Sequence, residues 1–275
     1  MEQIGNMTLE LINQVGILRF RDWENLDFIN HAFSTRLGGV SENEFSSMNF
    51  SFGRGDSSEN VLENYRRFCQ AANFPYENLV SSSQVHKTVI RRVGKQNGGC
   101  GIWKPQEALG VDGLCTNEPG VVLVTHYADC TPLYFVDPVK KCIGAAHAGW
   151  RGTVAQIGRI MVERLQSEFG SNPGDILAAI GPSIGKECYE VDDAVATQAK
   201  KLPIDVEAVL TPKENGKYWF DLWECNRRII HSAGVPFENI TVGGVCTMCH
   251  PELLFSHRYT AGKRGGMAAF LMLVQ

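Results

Sequence analysis

Three residues of the chain, His86, Cys130 and His147, have side chains of the types that bind metal ions. Each stands beside a turn at the end of a predicted β-strand. Two imidazoles and one thiolate suit zinc, and three protein ligands leave a fourth coordination position for water. The three residues are far apart in sequence and form no local metal motif. Hydrogen-bonded core histidines and an inert buried cysteine therefore stay open as the alternative interpretation.

The most concentrated set of chemically active residues is the segment His147-Ala148-Gly149-Trp150-Arg151-Gly152. The apolar run at 142–146 predicts a strand before this segment, and the helical periodicity at 153–169 predicts a helix after it. The two glycines allow the backbone to turn between these elements. A histidine, an arginine and the free N–H groups of a helix start thus meet at one corner, which suits a metal ion and an anion.

Apolar and β-branched runs separated by turn signals predict a mixture of strands and helices along the chain. Strands are predicted at residues 15–20, 28–33, 79–85, 88–93, 111–116, 121–126, 132–136, 142–146, 176–180, 240–243, 253–256 and 267–273. Helices are predicted at residues 59–71, 153–169, 191–201 and 222–233. No internal repeat or long linker interrupts the pattern. We therefore expect one α/β or α+β domain that spans residues 1–275.

The composition argues against several classes of protein. A net charge of −4 argues against a surface for nucleic acid or anionic membrane, and 44% hydrophobic residues with 20% charged residues is ordinary for a soluble globular protein. No apolar run approaches the roughly 18 residues of a membrane span, and the N-terminal residues lack a signal-peptide pattern. Nine cysteines, an odd number, do not suggest a disulfide framework. We expect a cytoplasmic protein that acts as a monomer or a small homo-oligomer.

Several blocks of the sequence resemble the YfiH/YlmD family, also called the multicopper polyphenol oxidase or laccase-domain family. Its signature blocks are matched in order by Gln84-Val85-His86, by Ala128-Asp129-Cys130-Thr131-Pro132 and by the 147–152 segment. Blocks at 35–41, 49–51, 179–184 and 255–258 agree as well, so the similarity runs from about residue 30 to about residue 270. The chain departs from the family pattern at Lys87, where the family often has Gly, and at His257, where it often has Tyr.

The resemblance implies an α+β fold, with one layered α/β/β/α domain built from mixed sheets and flanking helices. It implies that His86, Cys130 and His147 bind the metal, which is usually zinc, with copper as the alternative behind the laccase name. It also implies a purine nucleoside phosphorylase that takes adenosine, inosine, guanosine or methylthioadenosine, and that deaminates adenosine as well. The expected partners are therefore small molecules, namely purine nucleosides and phosphate.

Further roles follow from the chemistry of phosphorolysis, which needs a bound phosphate and stabilisation of the departing purine. Arg151 beside the helix start and Arg36 in the 34–41 loop are candidate phosphate ligands, since the arginine fork matches phosphate oxygens. Asp129, which adjoins the candidate catalytic residue Cys130, is a candidate general base or an orienter of a ligand histidine. A local role in the turn is the equal alternative for Asp129. Gln84, in the first signature block, is a candidate substrate contact.

The segment Cys246-Thr247-Met248-Cys249-His250 contains a Cys-x-x-Cys pattern, which occurs in haem attachment, zinc and redox sites. Haem attachment needs export, and the N-terminus shows no export signal. An ordinary structural role and a secondary redox or metal role both remain open. By the resemblance, Cys246 corresponds to a family cysteine near the pocket and is a candidate substrate-site residue.

Three functions of different classes remain in view, and we expect the first, a zinc-dependent purine nucleoside phosphorylase with adenosine deaminase activity. The second is a copper-dependent oxidase of phenols. A multicopper centre needs many imidazoles, whereas the chain has seven histidines and no His-x-His pair. The third is a non-enzymatic binding protein whose metal is structural. A closed shell of four ligands would favour that third function.

Overall fold

The computed structural model describes residues 2–274. Five α-helices are present in this part of the chain: α1 Ser58–Ala72, α2 Trp150–Val154, α3 Ile157–Phe169, α4 Asp193–Ala199 and α5 Leu222–Ser232. The strands of the first half are β1 Glu2–Ile4, β2 Met7–Ile12, β3 Val15–Phe20, β4 Ile29–Ser34, β5 Leu79–Ser81, β6 Ile90–Arg92, β7 Gly113–Thr116, β8 Val122–Tyr127 and β9 Thr131–Asp137. The strands of the second half are β10 Cys142–Ala148, β11 Leu177–Ile180, β12 Glu190–Val191, β13 Leu210–Pro212, β14 Tyr218–Phe220, β15 Ile240–Val242 and β16 Met267–Leu273.

The strands form two large mixed sheets and one small sheet. The first sheet has seven strands in the order β1-β2-β3-β4-β16-β8-β5, and the second has six in the order β15-β11-β9-β10-β7-β6. The small third sheet has the order β12-β14-β13. Most neighbours are antiparallel, while β5 with β8, β6 with β7 and β11 with β15 are parallel. The expected α+β class with mixed sheets is confirmed.

The alternation of side chains along the central strands explains the layers. In β16, Ala269 and Leu271 belong to an apolar core that the two large sheets share. The intervening residues Ala268 and Phe270 face the opposite way, into a core that includes Val61, Tyr65 and Phe68 of α1. Successive side chains of a strand point to opposite faces, so a strand that is apolar at every position must be covered on both sides.

Strand β10 repeats this arrangement in the second sheet. Ile143 and Ala145 join the core between the sheets, whereas Ala146 and Ala148 join a third core. That third core includes Ile157, Met161 and Leu165 of α3 as well as Ile230 of α5. The order of layers is therefore helix, sheet, sheet, helix, as the α/β/β/α expectation states. The single-domain organisation of residues 1–275 stays a prediction, and residues 1 and 275 lie outside the described part.

Most predicted elements are present within a few residues of their expected bounds, but three differ in an instructive way. The helix expected at 153–169 is two helices, because Gln156 takes a left-handed conformation with φ of 59° and breaks the run. The strand expected at 79–85 ends at Ser81, where the backbone leaves the first sheet.

The prediction of a strand at residues 253–256 is wrong. The amides of Leu253 and Leu254 both donate to the carbonyl of His250, so this apolar run folds as turns and buries its side chains without pairing in a sheet. The hairpin of β1 and β2 and the small sheet of β12, β13 and β14 were not predicted from the sequence. Among residues 2–274, none of the helices combines the length and the apolar character that a bilayer crossing requires.

The buried His31 makes stability depend on pH. Its ring is 4% exposed, and its Nε2 accepts a hydrogen bond from the Phe20 amide at 2.9 Å, which requires a neutral ring. Burial, assisted by the nearby Arg19 charge, lowers the pKa of His31 to about 3, whereas an unfolded histidine titrates near about 6.5. Between these two pH values the histidine is protonated in the unfolded chain but stays neutral in the folded one. The contribution of His31 to the free energy of unfolding is therefore complete above a pH of about 6.5 and decreases as the pH falls toward 3.

We expect a His31→Gln variant to have a flatter stability profile, since the amide oxygen of glutamine can accept the same Phe20 bond without titrating. The free energy of unfolding of the unsubstituted chain should fall faster below pH 6.5, by up to about 1.4 kcal/mol per pH unit relative to the variant. Urea titrations at several pH values between 7 and 5 measure this difference. Parallel profiles for the two proteins would show that His31 does not titrate with unfolding.

Candidate metal centre and active site

Two loops that pass from the first sheet to the second carry two of the three predicted ligands. One loop leads from β5 to β6 and carries His86, and the other leads from β8 to β9 and carries Cys130. Strands β5 and β8 are parallel neighbours, so both loops leave the first sheet at the same edge. His147 lies near the end of β10, where it pairs with Pro132 of β9. The topology thus brings three residues that are distant in sequence to one place.

The ligand atoms of His86, Cys130 and His147 all lie within 4.8 Å of one another. The two imidazole rings meet nearly at right angles, with their centroids 4.9 Å apart. His147 is 3% exposed, whereas His86 is open to solvent, with a left-handed backbone at φ of 62°. A cation bound by these three atoms would keep one side accessible to a substrate, as catalytic zinc sites do.

The buried carboxylate of Asp112 holds two of these ligands in place. Its Oδ1 accepts from the His147 Nδ1–H group at 3.0 Å and from the His86 amide at 2.9 Å. Its Oδ2 accepts from the amides of Val85 at 3.1 Å and Lys87 at 2.9 Å. The bond to Nδ1 leaves Nε2 of His147 free to bind a cation, an arrangement common around metal-binding histidines. Burial raises the pKa of Asp112, but these hydrogen bonds outweigh it and hold the pKa below its ordinary value.

The electrostatics of the three residues favour a thiolate. Burial raises the pKa of Cys130, but the opposite charge on His147 and hydrogen bonds from both histidines lower it to about 6. In return, Cys130 and Asp112 raise the pKa of His147 against the effect of burial. A thiolate beside two imidazoles, one of them oriented by a carboxylate, is a donor set that fits Zn²⁺, and copper ions also bind such ligands.

His86 and Cys130 lie where two lobes of a cleft meet, and His147 lines the first of them. The first lobe has a volume of about 460 Å³, and its walls include Phe50, Phe52, Gln84 and His126. The second lobe has a volume of about 380 Å³, and its walls include Asp129, Trp150, Arg151, Tyr189 and Arg258. His86, Cys130, Arg54 and Arg264 border both lobes. A substrate that spans the lobes would pass directly over the candidate ligands.

Asp129 lies in the second lobe, but both of its carboxylate oxygens are engaged. Oδ1 accepts from the Thr247 hydroxyl at 2.6 Å, and Oδ2 accepts from the Arg258 amide at 2.7 Å. The backbone of Asp129 is left-handed, with φ of 83°, and its carbonyl accepts from the Ile184 amide at 3.0 Å. Through these bonds the segment that carries Cys130 is joined to three others, those of Ile184, Thr247 and Arg258. The geometry supports a positioning role for Asp129, and its role as a general base stays a prediction.

Arg151 lies in the first turn of α2, inside the helix and not before it as the sequence predicted. Its guanidinium lies 4.3 Å from the centre of the Trp150 ring, and both side chains line the second lobe. Arg151 is exposed and forms no ion pair within the described part of the chain. The structure therefore leaves it available to a ligand in the second lobe.

Gln84 lines the first lobe, and its amide group is used by the protein itself. Its Nε2 donates to the His126 carbonyl at 2.7 Å, and its Oε1 accepts from the His126 amide at 2.6 Å. The His126 ring faces the Tyr65 hydroxyl, with 2.6 Å between Nε2 and the oxygen. Burial, together with the charge of His147, lowers the pKa of His126 to about 4, so the ring is neutral and shares one hydrogen bond with the Tyr65 hydroxyl. Gln84 thus fixes the wall of the lobe.

Two predicted site residues are not brought to the cleft. The Arg36 guanidinium donates to the carbonyls of Ser46 at 2.8 Å and Pro251 at 2.7 Å, and it stacks on Phe255. Its donors are thus directed at the protein backbone. Cys246 lies instead with Cys188 and Cys249 in a separate cluster, which does not line either lobe.

Two arginines of the cleft, Arg54 and Arg264, were not predicted from the sequence. Within residues 2–274, neither guanidinium has a carboxylate within 4.0 Å, and the buried Nε of Arg264 has no hydrogen-bond partner. Burial, with the neighbouring charge of Arg54, lowers the pKa of Arg264 to about 10. The charges of Asp129 and Cys130 act on Arg264 from a greater distance, so two neighbouring guanidiniums without a direct ion-pair partner form a candidate anion site. The only signal in the sequence is that both arginines stand beside glycines in loops.

Fold and site together define a layered α/β/β/α protein with a candidate two-histidine, one-cysteine metal centre in a cleft between its sheets. The chain belongs to the family described as multi-copper polyphenol oxidoreductase laccase, whose family model matches residues 30–274. It is 39% identical over 259 residues to the purine nucleoside phosphorylase YlmD of Bacillus subtilis. The aligned region covers 92% of this chain and 93% of that protein.

A second relative, the purine nucleoside phosphorylase YlmD of Geobacillus stearothermophilus, is 42% identical over 240 residues, or 86% of this chain and 88% of that protein. The crystal structure of YlmD from Geobacillus stearothermophilus superposes with a TM-score of 0.91 at 37% identity, covering 99% of this chain and 100% of that chain. The family resemblance expected from the sequence is confirmed.

We expect an Asp112→Asn variant to bind Zn²⁺ about 10- to 100-fold more weakly, because an outer carboxylate orients the ligand histidine. Competition with a chromophoric zinc chelator measures this affinity. Asp192→Asn is a matched control: Asp192 caps α4 by accepting from the Val195 amide, away from the cleft, and asparagine also caps helices. Equal zinc affinity in the two variants would contradict the role given to Asp112.

Proposed function

We propose that this protein is a metal-dependent purine nucleoside phosphorylase that acts on adenosine, inosine, guanosine and methylthioadenosine. The observation that carries the proposal is the shared border of the two lobes. This border contains the ligands His86 and Cys130, with His147 beside them, as well as two arginines, Arg54 and Arg264, that have no ion pair within residues 2–274. The names of two relatives that match most of the chain support it as well.

The phosphate site is assigned to Arg54 and Arg264. In phosphorolysis, a phosphate oxygen forms a bond to the ribose C1′ as the bond from C1′ to the purine nitrogen breaks, and the purine leaves with the electron pair. A phosphate dianion would supply the direct ion-pair partner that neither guanidinium has within residues 2–274. Because both arginines border the two lobes, a phosphate held by them would lie beside the ribose of a substrate that spans the junction.

The purine is assigned to the second lobe. Trp150, Tyr189, Ile184 and Leu222 give this lobe apolar and aromatic surface, on which a flat heterocycle packs. Arg151 on the face of Trp150 adds a cation toward which the leaving purine can direct its developing negative charge. Burying the reacting groups in the cleft strengthens these electrostatic interactions.

His86, Cys130 and His147 are the residues that would hold the metal, and we propose zinc as the ion. A bound Zn²⁺ supplies an electrophile that polarises an oxygen atom placed beside it. Asp112 orients His147 and fixes the loop that carries His86. Asp129 positions the Arg258 and Thr247 loops around the second lobe through its two carboxylate oxygens.

Deamination of adenosine is the second activity we propose for this cleft. It needs water to add at the purine C6 and ammonia to leave from the same carbon. The second lobe, to which we assign the purine, borders the candidate ligands. The residue after His147 is Ala148 and the next is Gly149, so this ligand does not begin the His-x-Glu arrangement of zinc nucleobase deaminases. A different group must therefore transfer the protons.

The copper oxidase alternative has less support from the described residues. A multicopper centre needs several groups of imidazoles, whereas the ligand clusters within residues 2–274 are the two-histidine, one-cysteine set and a set of three cysteines. The binding-protein alternative predicts a closed metal shell. The described set has three ligands beside an open cleft, which favours a catalytic metal.

We expect zinc-loaded protein to release hypoxanthine from inosine and adenine from methylthioadenosine only when phosphate is present. A Cys130→Ala variant should lose this activity, because the metal centre loses its thiolate. Chromatography of the free bases, with and without phosphate, measures both effects. Oxidation of phenols by copper-loaded protein, without base release under any condition, would favour the oxidase. Ammonia formed from adenosine tests deamination separately.

We expect Arg264→Gln to raise the KM for phosphate at least about tenfold, since a charge-assisted hydrogen bond contributes roughly 1.5–3 kcal/mol. The KM for inosine at saturating phosphate should change much less. Arg36→Lys serves as a control: it should leave the KM for phosphate unchanged while lowering the free energy of unfolding by about 1 kcal/mol, because bonds to two carbonyls are lost. If Arg36→Lys raised the KM for phosphate and Arg264→Gln did not, the phosphate site would have to be assigned to Arg36 instead.

A further inference from the structure

A second group of potential metal ligands lies outside the cleft. The sulfur atoms of Cys188, Cys246 and Cys249 are all within 4.8 Å of one another, and those of Cys188 and Cys249 are 3.4 Å apart. Cys249 is exposed, and the other two cysteines are partly exposed. None of the three lines either lobe or belongs to the His86, Cys130 and His147 set. The proposed phosphorylase reaction therefore does not use this cluster.

Backbone hydrogen bonds build the cluster independently of its sulfur atoms. The Ser183 amide donates to the Val245 carbonyl at 3.2 Å, and the Thr247 amide donates to the Ser183 carbonyl at 3.0 Å. These bonds align the loop that ends at Cys188 with the Cys-x-x-Cys turn. The Gly185 amide donates to the Cys246 sulfur at 3.2 Å, and a donor of this kind stabilises a thiolate.

The geometry suits a cation better than a disulfide. Tetrahedral zinc with Zn–S bonds of about 2.3 Å holds its thiolates about 3.8 Å apart, close to the spacing of Cys188 and Cys249. A disulfide needs sulfur atoms at about 2.05 Å and joins only two of the three cysteines. As thiolates, three groups at this spacing would repel one another, and a thiophilic cation would remove that repulsion.

We propose that Cys188, Cys246 and Cys249 form a second metal site that binds Zn²⁺ through three thiolates. His250, the next residue in sequence, is not part of the cluster, and its Nδ1 lies 3.4 Å from a Glu252 oxygen. The fourth coordination position opens to solvent beside the exposed Cys249 and takes water. Binding releases the thiol protons, so the affinity for zinc rises with pH.

A metal bound to the three cysteines would link two loops that support the wall of the second lobe, namely the loop that ends at Cys188 and the turn that contains Cys246 and Cys249. Tyr189, which follows Cys188 directly, lines this lobe, and Ile184 of the same loop donates to the Asp129 carbonyl. Thr247, which lies between Cys246 and Cys249, donates its hydroxyl to the Asp129 carboxylate. A metal at the cluster would therefore fix the positions of Ile184 and Thr247, which both donate hydrogen bonds to Asp129.

Zinc stoichiometry tests the proposal on reduced, full-length protein that has been dialysed after incubation with Zn²⁺. We expect two zinc ions per chain in the unsubstituted protein and one in each of Cys130→Ser, Cys188→Ser and Cys249→Ser. The double variant Cys130→Ser/Cys249→Ser should bind none. Cys142→Ser is the matched control and should keep both ions, since its thiol contacts the Ser171 hydroxyl and belongs to neither cluster. Circular dichroism confirms that each variant is folded.

Cobalt gives a second readout that does not depend on enzymatic activity. Co²⁺-loaded Cys130→Ser should show the near-ultraviolet thiolate-to-metal band of a site with several cysteines, and adding Cys249→Ser should abolish it. The proposal is overturned if Cys130→Ser binds neither zinc nor cobalt. It is also overturned if the fully reduced Cys188→Ser and Cys249→Ser variants keep the zinc content of the parent, or if mass spectrometry finds a Cys188–Cys249 disulfide that zinc does not prevent. Because metal content is measured directly, loss of the proposed phosphorylase activity alone would leave this proposal standing.

Discussion

The site depends on one buried carboxylate. Asp112 is fully buried and accepts four hydrogen bonds, three from backbone amides of the loop after β5 and one from the His147 ring. A buried charge without partners would cost several kcal/mol, so these four donors must come together for the chain to fold with Asp112 ionised. The same bonds set the position of His86 and the tautomer of His147. Folding and assembly of the candidate metal centre are therefore one process.

The layered fold explains why such a centre forms from distant segments. Two sheets that share a core need connections that pass from one to the other, and two of these connections start at neighbouring parallel strands. His86 and Cys130 lie on them, and His147 lies at the adjacent end of β10. The interior of the sandwich is apolar, so polar groups accumulate at this edge. The cleft is thus a consequence of where the chain changes sheets.

Much of the fold could be predicted because β10 and β16 are apolar at successive positions, which is typical of strands covered on both faces. The candidate metal centre was predictable in part. Ligands so far apart in sequence have no spacing signal, and it was the family resemblance that joined His86, Cys130 and His147. Arg54 and Arg264 could not be recognised, because an arginine beside glycines has the pattern of an ordinary surface charge. Only the structure shows that neither guanidinium is ion-paired within residues 2–274. Arg36 looked equivalent in sequence, yet backbone carbonyls and Phe255 take up its guanidinium.

The central claim is that the cleft joins phosphate to the ribose of a purine nucleoside. Phosphorus NMR of inosine and phosphate incubated with the zinc-loaded protein tests it most directly, because it reports on the sugar product. Our account predicts a new phosphate monoester signal, that of ribose 1-phosphate, which grows in step with free hypoxanthine. Hypoxanthine together with free ribose and an unchanged phosphate signal would show a hydrolase and would contradict the assignment of Arg54 and Arg264 to phosphate.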